Sequence, residues 1–98
     1  MKYFIVEGTI KDASLMNDNK MNEHKAYSQK AMDNGLILMS GLKEDMSGAV
    51  FIMKADSVDK INSYLDNEPF KVYGIQDYSV IEFSPHYFND SPSTWFNK

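Results

Sequence analysis

The chain has no cysteine and no arginine, and these two absences exclude several classes of protein. Without cysteine it cannot form a disulfide or an iron–sulfur cluster, ligate zinc through thiolates, or use a cysteine nucleophile. Nucleic-acid-binding proteins usually present a basic stripe rich in arginine. This chain instead carries 14 acidic residues against ten lysines, a net charge of −4. We therefore expect no nucleic-acid partner.

Long apolar runs and glycine-rich loops are also missing. No segment approaches the roughly 20 apolar residues that a membrane-spanning helix needs. The apolar start of the chain is broken at Glu7, too early for the core of a signal peptide. Gly41, Gly48 and Gly74 are isolated, so no phosphate-binding loop is indicated. The sequence thus predicts a soluble, cytoplasmic protein without a membrane partner.

What the chain does contain is enough for one globular domain. Its 98 residues are 43% hydrophobic, which is ordinary for a folded protein. A chain this short buries a limited share of its surface, so association with a second copy is one way to complete the core.

Four apolar segments and two helical patterns follow one another with short connections. The strands are predicted at residues 2–8, 36–42, 49–54 and 77–83. The first helix is predicted from about residue 14, where Asp12 or Ser14 can cap it. It ends at Asn34 and Gly35, residues that tolerate the left-handed conformation of a helix stop.

A second helix is predicted after Asp56 or Ser57, either of which can cap it. It ends before Pro69, because the residue before a proline avoids helical backbone. The resulting order, βαββαβ, predicts an α+β fold of the ferredoxin-like type. In this fold a four-stranded antiparallel sheet carries two helices on one face.

The predicted strands are apolar on both faces, although the helices cover only one. An apolar sheet face of this size needs a cover. We expect that cover to be a second copy of the chain, packed sheet on sheet with a cavity between the two. The sequence therefore predicts a homodimer and leaves open whether dimers assemble further.

The predicted domain covers residues 1–84, and residues 85–98 form an aromatic extension. Pro85 and Pro92 argue against a helix in this extension. It holds too many aromatic residues for a solvated tail, namely Tyr87, Phe88, Trp95 and Phe96. We expect it to pack on its own subunit or on the partner. It would either seal a dimer edge or form part of a ligand cavity.

Two histidines limit the search for acid–base chemistry. His24 lies in the middle of the first predicted helix, at the margin of its apolar stripe. A histidine in such a place can also be structural or exposed. His86, in the extension, is the weaker candidate. Two distant histidines without cysteine do not make a metal site, so we expect neither a metal ion nor another cofactor.

Glu68 is the candidate acid, because Pro69 and Phe70 place it in a tight, partly apolar stretch between helix and strand. The alternatives are that Glu68 is a solvated loop residue or that Asp66 takes its role. Ser40 can hydrogen-bond a ligand, although a serine in such a place more often simply ends a strand. The candidate substrate-binding residues are Tyr27, Ser40 and Phe70.

Three segments, residues 24–41, 48–57 and 68–74, carry a family resemblance. Residues 24–41 resemble a helix histidine followed by a helix stop and a Leu-Leu-x-x-Gly-Pro-Leu strand. Residues 48–57 resemble a hairpin with the cap of a second helix. Residues 68–74 resemble an Asp-Pro-Phe-x-x-x-Gly element. These belong to the YciI-like (YCII-related) proteins of the dimeric α+β barrel group. The resemblance covers roughly residues 2–84. Glu68 stands in place of the family's aspartate, and Leu42 in place of its usual proline.

The resemblance implies a ferredoxin-like subunit, a dimer made by two sheets, and a pocket between the sheets lined by His24 and Glu68. It also implies that some family members act on small cyclic or aromatic compounds with an acid–base pair. By that likeness His24 would transfer a proton while Glu68 orients the imidazole or acts as the second acid or base. No metal or organic cofactor takes part in this hypothesis.

Three further hypotheses stay open at this point. The same dimer cavity can hold a small apolar or aromatic ligand without chemistry. It can instead be filled by side chains such as Phe51 and Met53, in a purely structural dimer. RNA binding on the sheet shares the βαββαβ order, but Lys54 alone does not supply a basic surface. We therefore place RNA binding last.

Overall fold

The computed structural model describes residues 1–96. Asn97 and Lys98, the end of the predicted extension, lie outside the described residues. The described chain folds into β1 (Lys2–Ile10), α1 (Asp18–Asp33), β2 (Ile37–Leu42), β3 (Gly48–Ala55), α2 (Val58–Asp66), α3 (Pro69–Val72), β4 (Gln76–Phe83) and α4 (Pro92–Trp95). Among residues 1–96, no helix has both the length and the apolar character needed to cross a membrane.

The four strands form one antiparallel sheet in the order β2-β3-β1-β4. This confirms the predicted α+β, ferredoxin-like architecture, with β2 and β4 at opposite edges. On one face, Phe4, Val6, Phe51 and Met53 are buried against residues of α1 and α2. Directly opposed residues of an antiparallel pair share a face. Tyr78 lies opposite Gly8 and therefore also points to this helical side.

The other face of the sheet, which we call the open face, is apolar at its centre. Ile5 lies between Ile52 of β3 and Ile81 of β4. Ile81 is 61% exposed and Leu38, at a β-bulge in β2, is 59% exposed. Among residues 1–96, no helix that packs on the core covers this face. Its apolar character is the feature that the sequence predicted to need a partner.

Helix α1 begins later than predicted. Asp12 caps a short 3₁₀ turn over Ala13–Leu15 instead, and Asn17 caps α1 by accepting a hydrogen bond from the Lys20 N–H at 2.8 Å. The helix stop was predicted correctly, because Gly35 follows the Asn34 cap with φ +74°. For α2, Ser57 rather than Asp56 is the cap.

Two short helices were not predicted. Pro69 starts α3 and Pro92 starts α4, each in the first turn. The prediction that the extension has no helix was wrong, because proline is unfavourable inside a helix but well tolerated at its first position. Tyr87 is 98% and Phe88 79% exposed, so neither ring is buried in its own subunit.

Candidate acid–base site

The sequence Glu68-Pro69 builds its own helix cap. A residue before proline prefers extended backbone, and Glu68 has φ −68° and ψ 129°. Pro69 then takes a helix-start position, where its missing N–H is not needed. The Glu68 carboxylate turns back to accept from the N–H groups of Phe70, at 2.9 Å, and Lys71, at 3.3 Å. This geometry fixes a carboxylate between α2 and α3.

Glu68 is almost fully buried, with 1% of its surface exposed. A buried carboxylate is costly unless its oxygens are hydrogen-bonded. Oε2 accepts the two cap N–H groups and also the hydroxyl of Tyr78, at 2.7 Å. Oε1 contacts Nδ1 of His24. The hypothesis that Glu68 is a solvated loop residue is therefore wrong.

His24 reaches Glu68 from the middle of α1. Its ring stacks on Phe70, with centroids 3.9 Å apart and planes 5° from parallel. The same face of α1 holds Tyr27, whose hydroxyl donates to the backbone oxygen of Tyr64 at 2.7 Å. These contacts dock α1 on the α2–α3 segment and set the direction of the imidazole. The side chain of His24 remains 24% exposed.

The contact with Glu68 assigns the protons of the histidine ring. A carboxylate only accepts hydrogen bonds, so Nδ1 must carry the hydrogen in the pair. In a neutral ring the lone pair then sits on Nε2. Among residues 1–96, no protein group hydrogen-bonds Nε2. The arrangement therefore presents one basic nitrogen, oriented by a buried anion.

Three tyrosines surround the buried carboxylate, and none of them can easily lose its proton. Burial is the main cause that raises the pKa of Tyr27, Tyr64 and Tyr78, and the negative charge of Glu68 raises each further. Their hydroxyls therefore stay protonated and act as donors. This leaves His24 as the group best suited to exchange a proton with a substrate.

The raised tyrosine pKa values predict that the fold loses stability in alkali. In the unfolded chain these phenols ionise near pH 10, whereas the folded protein holds their protons to higher pH. By linkage, the free energy of unfolding falls as pH rises above about 10. Urea unfolding from pH 8 to 11.5 measures this decrease. Tyr64→Phe should make it shallower, and Tyr87→Phe, at a 98% exposed position, should not. An equal slope for the wild type and Tyr64→Phe would contradict this.

The structure brings only some of the predicted site residues together. Phe70 stacks on His24, and Tyr27 lies one turn further along α1 with its hydroxyl bound to α2. Ser40 is on β2, whereas Tyr78, next to Glu68, is on β4 at the opposite edge of the sheet. Three strand spacings, roughly 14 Å, separate these edges. Within one chain, Ser40 is therefore not part of the site that holds His24.

The alternative acid and the second histidine also lie elsewhere. Asp66 is at the surface, where it pairs with Lys71 at 2.6 Å. His86 is exposed, in the segment between β4 and α4. Among residues 1–96, no cluster of three or more His, Cys, Asp or Glu side chains could hold a metal ion.

The family resemblance implied that His24 and Glu68 line a pocket between two sheets. The pair lies instead on the helical side of the sheet. Glu68 hydrogen-bonds Tyr78, which points to the helical side of the sheet, so His24 and Glu68 are on that side too. The reason is that both α1 and the α2–α3 segment pack on the same face. A cavity of about 580 Å³ lies on the open face, lined in part by Tyr3, Ile52 and Tyr87, and does not include the pair.

Sequence reasoning missed two members of the site, Tyr78 and Gln76. Gln76 is 3% exposed and its amide donates to the Tyr78 hydroxyl at 2.8 Å. Both lie in β4, where the sequence alone does not distinguish them from the ordinary polar residues of an edge strand. The available signal was that two hydrogen-bonding side chains two residues apart share one face of a strand.

The fold is shared with several proteins of known structure, and three of them are given as examples. Muconolactone isomerase is 19% identical with a TM-score of 0.71, covering 91% of this chain and 98% of its own. The 5-chloro-2-hydroxyhydroquinone dehydrochlorinase of Burkholderia phenoliruptrix AC1100, in complex with 2,5-dihydroxybenzoquinone, is 22% identical with a TM-score of 0.64 (84% and 93% covered). An antibiotic biosynthesis monooxygenase is 17% identical with a TM-score of 0.56 (88% and 99% covered). The fold is thus that of the α+β barrel proteins.

The sequence itself gives the family. The model of the YCII-related domain matches residues 1–84, so the chain belongs to that family. No curated protein matches the sequence.

Proposed function

We propose that this protein is a cofactor-independent acid–base enzyme that acts on a small cyclic or aromatic compound. The observation that carries the proposal is the buried Glu68 carboxylate bound to Nδ1 of His24. Neutral His24 takes a proton from the substrate at Nε2, and the resulting imidazolium is stabilised by Glu68. The same nitrogen then returns the proton at another atom of the substrate or to a leaving group.

Two features support the proposed substrate class: the aromatic surroundings of His24 and the reactions of two structural relatives. The His24 ring stacks on Phe70, and Tyr27 lies one turn further along the same helix, so the partly exposed imidazole has aromatic surroundings that favour a flat, apolar ring compound. Muconolactone isomerase and 5-chloro-2-hydroxyhydroquinone dehydrochlorinase are named for reactions of such small ring compounds. Their low identity limits the support to the fold, so the substrate class is part of the proposal.

Proton transfer can be tested before the natural substrate is known. A panel of small cyclic ketones, lactones and dihydroxybenzenes is incubated with the protein in D₂O and followed by ¹H NMR. We expect protein-dependent replacement of C–H by C–D, or conversion to product, for at least one ring compound. Exchange equal to the buffer rate across the panel, with a protein that binds some of the compounds, would contradict catalysis.

Non-catalytic binding is the second candidate, and the cavity on the open face favours it. This cavity of about 580 Å³ is lined by the sheet and by the aromatic extension, through residues such as Tyr3, Phe83 and Tyr87. Its size suits a small ligand, and it lies away from His24. A ring compound that binds, is recovered unchanged and perturbs Tyr87 rather than His24 in NMR spectra would favour this function.

The proposal includes a homodimer in which the open faces of two sheets pack together. Apolar side chains such as Ile81 and Leu38 are more than half exposed on this face. A second copy presents the same apolar surface, so a two-fold pairing buries both. In this arrangement the His24–Glu68 pair remains on the outer, helical side of each subunit.

The dimer predicts that a charge on the open face separates the subunits. Leu38→Lys and Ile81→Lys should weaken association by about a hundredfold or more, since each buries an unpaired charge. Light scattering after size-exclusion chromatography should give twice the 11.2 kDa chain mass for the wild type and a lower mass for these variants. Val72→Lys is the control, because Val72 is 63% exposed on α3. A wild type of 11.2 kDa at all concentrations would overturn the dimer.

A further inference from the structure

The two oxygens of the Glu68 carboxylate have different partners. Oε1 meets His24, while Oε2 accepts from the cap N–H groups and from Tyr78. An ionised carboxylate has about four acceptor sites and no donor. The Tyr78 hydroxyl, at 2.7 Å, is the only side-chain donor on Oε2 among residues 1–96. It therefore holds the carboxylate through the oxygen that the imidazole does not contact.

Tyr78 is in turn fixed by its surroundings. The Gln76 amide donates to the Tyr78 oxygen at 2.8 Å, which leaves the phenolic hydrogen free to point at Glu68. The ring meets Phe51 edge-on, with centroids 5.8 Å apart. Gln76 is 3% exposed, so its amide has little freedom to turn to water. The chain of donors therefore runs in one direction, from Gln76 to Tyr78 to Glu68.

The hydrogen-bonded series Gln76–Tyr78–Glu68 has room because the residue beside it on β1 is a glycine, which has no side chain. Gly8 lies opposite Tyr78. A Cβ atom at Gly8 would be 2.8 Å from Cδ of Gln76 and 3.0 Å from Cε1 of Tyr78. Carbon atoms do not approach so closely without displacement, so any larger residue at position 8 must move Gln76 or Tyr78. Gly8 is thus needed at this position because of the polar chain beside it.

We infer that Tyr78 is a positioning residue for the acid–base pair: its hydroxyl, held by Gln76 in the space beside Gly8, fixes the Glu68 carboxylate so that Oε1 faces Nδ1 of His24. This inference rests on the proposed function and extends it from a pair to a chain of four side chains. No other tyrosine substitutes for Tyr78. Within the described residues, Tyr27 donates to the Tyr64 backbone and Tyr73 to Glu23.

The test reads the tautomer of His24, a property that a purely structural role of Tyr78 would not change. Ring ¹⁵N chemical shifts, measured through the carbon-bound protons, give the ratio of Nε2–H to Nδ1–H in the neutral ring. The wild type should be almost entirely Nδ1–H. Tyr78→Phe keeps the ring packing but removes the hydroxyl, and we expect the ratio to rise by about fivefold, the effect of one hydrogen bond.

Two further variants separate positioning from general damage. Tyr64→Phe, the control, removes a half-buried hydroxyl that does not bind Glu68, so its ratio should match the wild type. Gly8→Ala keeps the Tyr78 hydroxyl but displaces the side chains of Gln76 and Tyr78. It should therefore also raise the ratio of Nε2–H to Nδ1–H. Gly8→Ala also tests the inference if Tyr78→Phe fails to fold. The thermal melt of each variant shows whether it folds.

The outcomes distinguish this inference from the function on which it rests. A wild-type ratio in both Tyr78→Phe and Gly8→Ala would overturn the positioning role and leave the pair intact. A wild type without preference for Nδ1–H would overturn the His24–Glu68 pair itself, and the inference with it. A raised ratio in Tyr64→Phe as well would show that the effect is not specific to Tyr78, which also overturns it.

Discussion

Replacing His24 by glutamine is expected to lower the turnover number for a small ring substrate by about 10²–10⁴-fold, the usual contribution of a general acid–base group. Glutamine has a similar reach and can still hydrogen-bond Glu68, but it cannot take up a proton at neutral pH. KM should change much less than kcat, because glutamine preserves the approximate size and polarity of the side chain at this position. The ring compound found by deuterium exchange is the substrate for this measurement.

His86→Gln is the matched control, since His86 is the only other histidine of the chain and is exposed between β4 and α4. It should keep the wild-type turnover number. Equal turnover in His24→Gln and the wild type would remove His24 from the mechanism. Equal losses in both histidine variants would point to an effect unrelated to the His24–Glu68 pair.

Substitutions of Glu68 are expected to separate its support of the fold from its orientation of the His24 ring. Glu68→Ala leaves two backbone N–H groups and the Tyr78 hydroxyl without their acceptor in a buried place. The cost should be about 3–5 kcal/mol in the free energy of unfolding. Glu68→Gln keeps an acceptor oxygen for these donors, so it should cost about 1 kcal/mol. Urea unfolding of both variants measures the difference.

The glutamine variant should nevertheless lose most of its activity. Its amide NH₂ would face Nδ1 of His24 as a donor, which forces the ring hydrogen onto Nε2 and removes the basic nitrogen from the substrate side. We expect turnover to fall about a hundredfold or more. Asp66→Ala is the control, because this exposed acid pairs with Lys71 at the surface, and such an exposed ion pair is worth less than about 1 kcal/mol. Full activity in Glu68→Gln would show that Glu68 only supports the fold.

The secondary structure was largely readable from the sequence because its signals are local. Gly35 ends α1 through its positive φ, and Ser57 caps α2 with its own side chain. The late start of α1 was missed because two capping sequences follow each other. Asp12 uses the first for a 3₁₀ turn, and Asn17 uses the second for the helix.

The candidate site was only partly predictable. His24 and Glu68 were found from residue type, and in the family resemblance from their spacing to Gly35 and Pro69. The side of the sheet on which they meet could not be found this way, because it depends on how α1 and α2 pack. Tyr78 was missed for a related reason: which face of an edge strand it occupies is set by its register against Gly8.

The sequence by itself determined the order of the four strands and the two longer helices, the end of α1 and the capping region of α2, because these depend on residues within a few positions of one another. Only the tertiary structure decided that Glu68 is buried and that its carboxylate lies between His24 and Tyr78. These contacts join residues 44 and ten positions apart. They exist because the packing of α1 and the pairing of β4 with β1 bring three separate segments to one point.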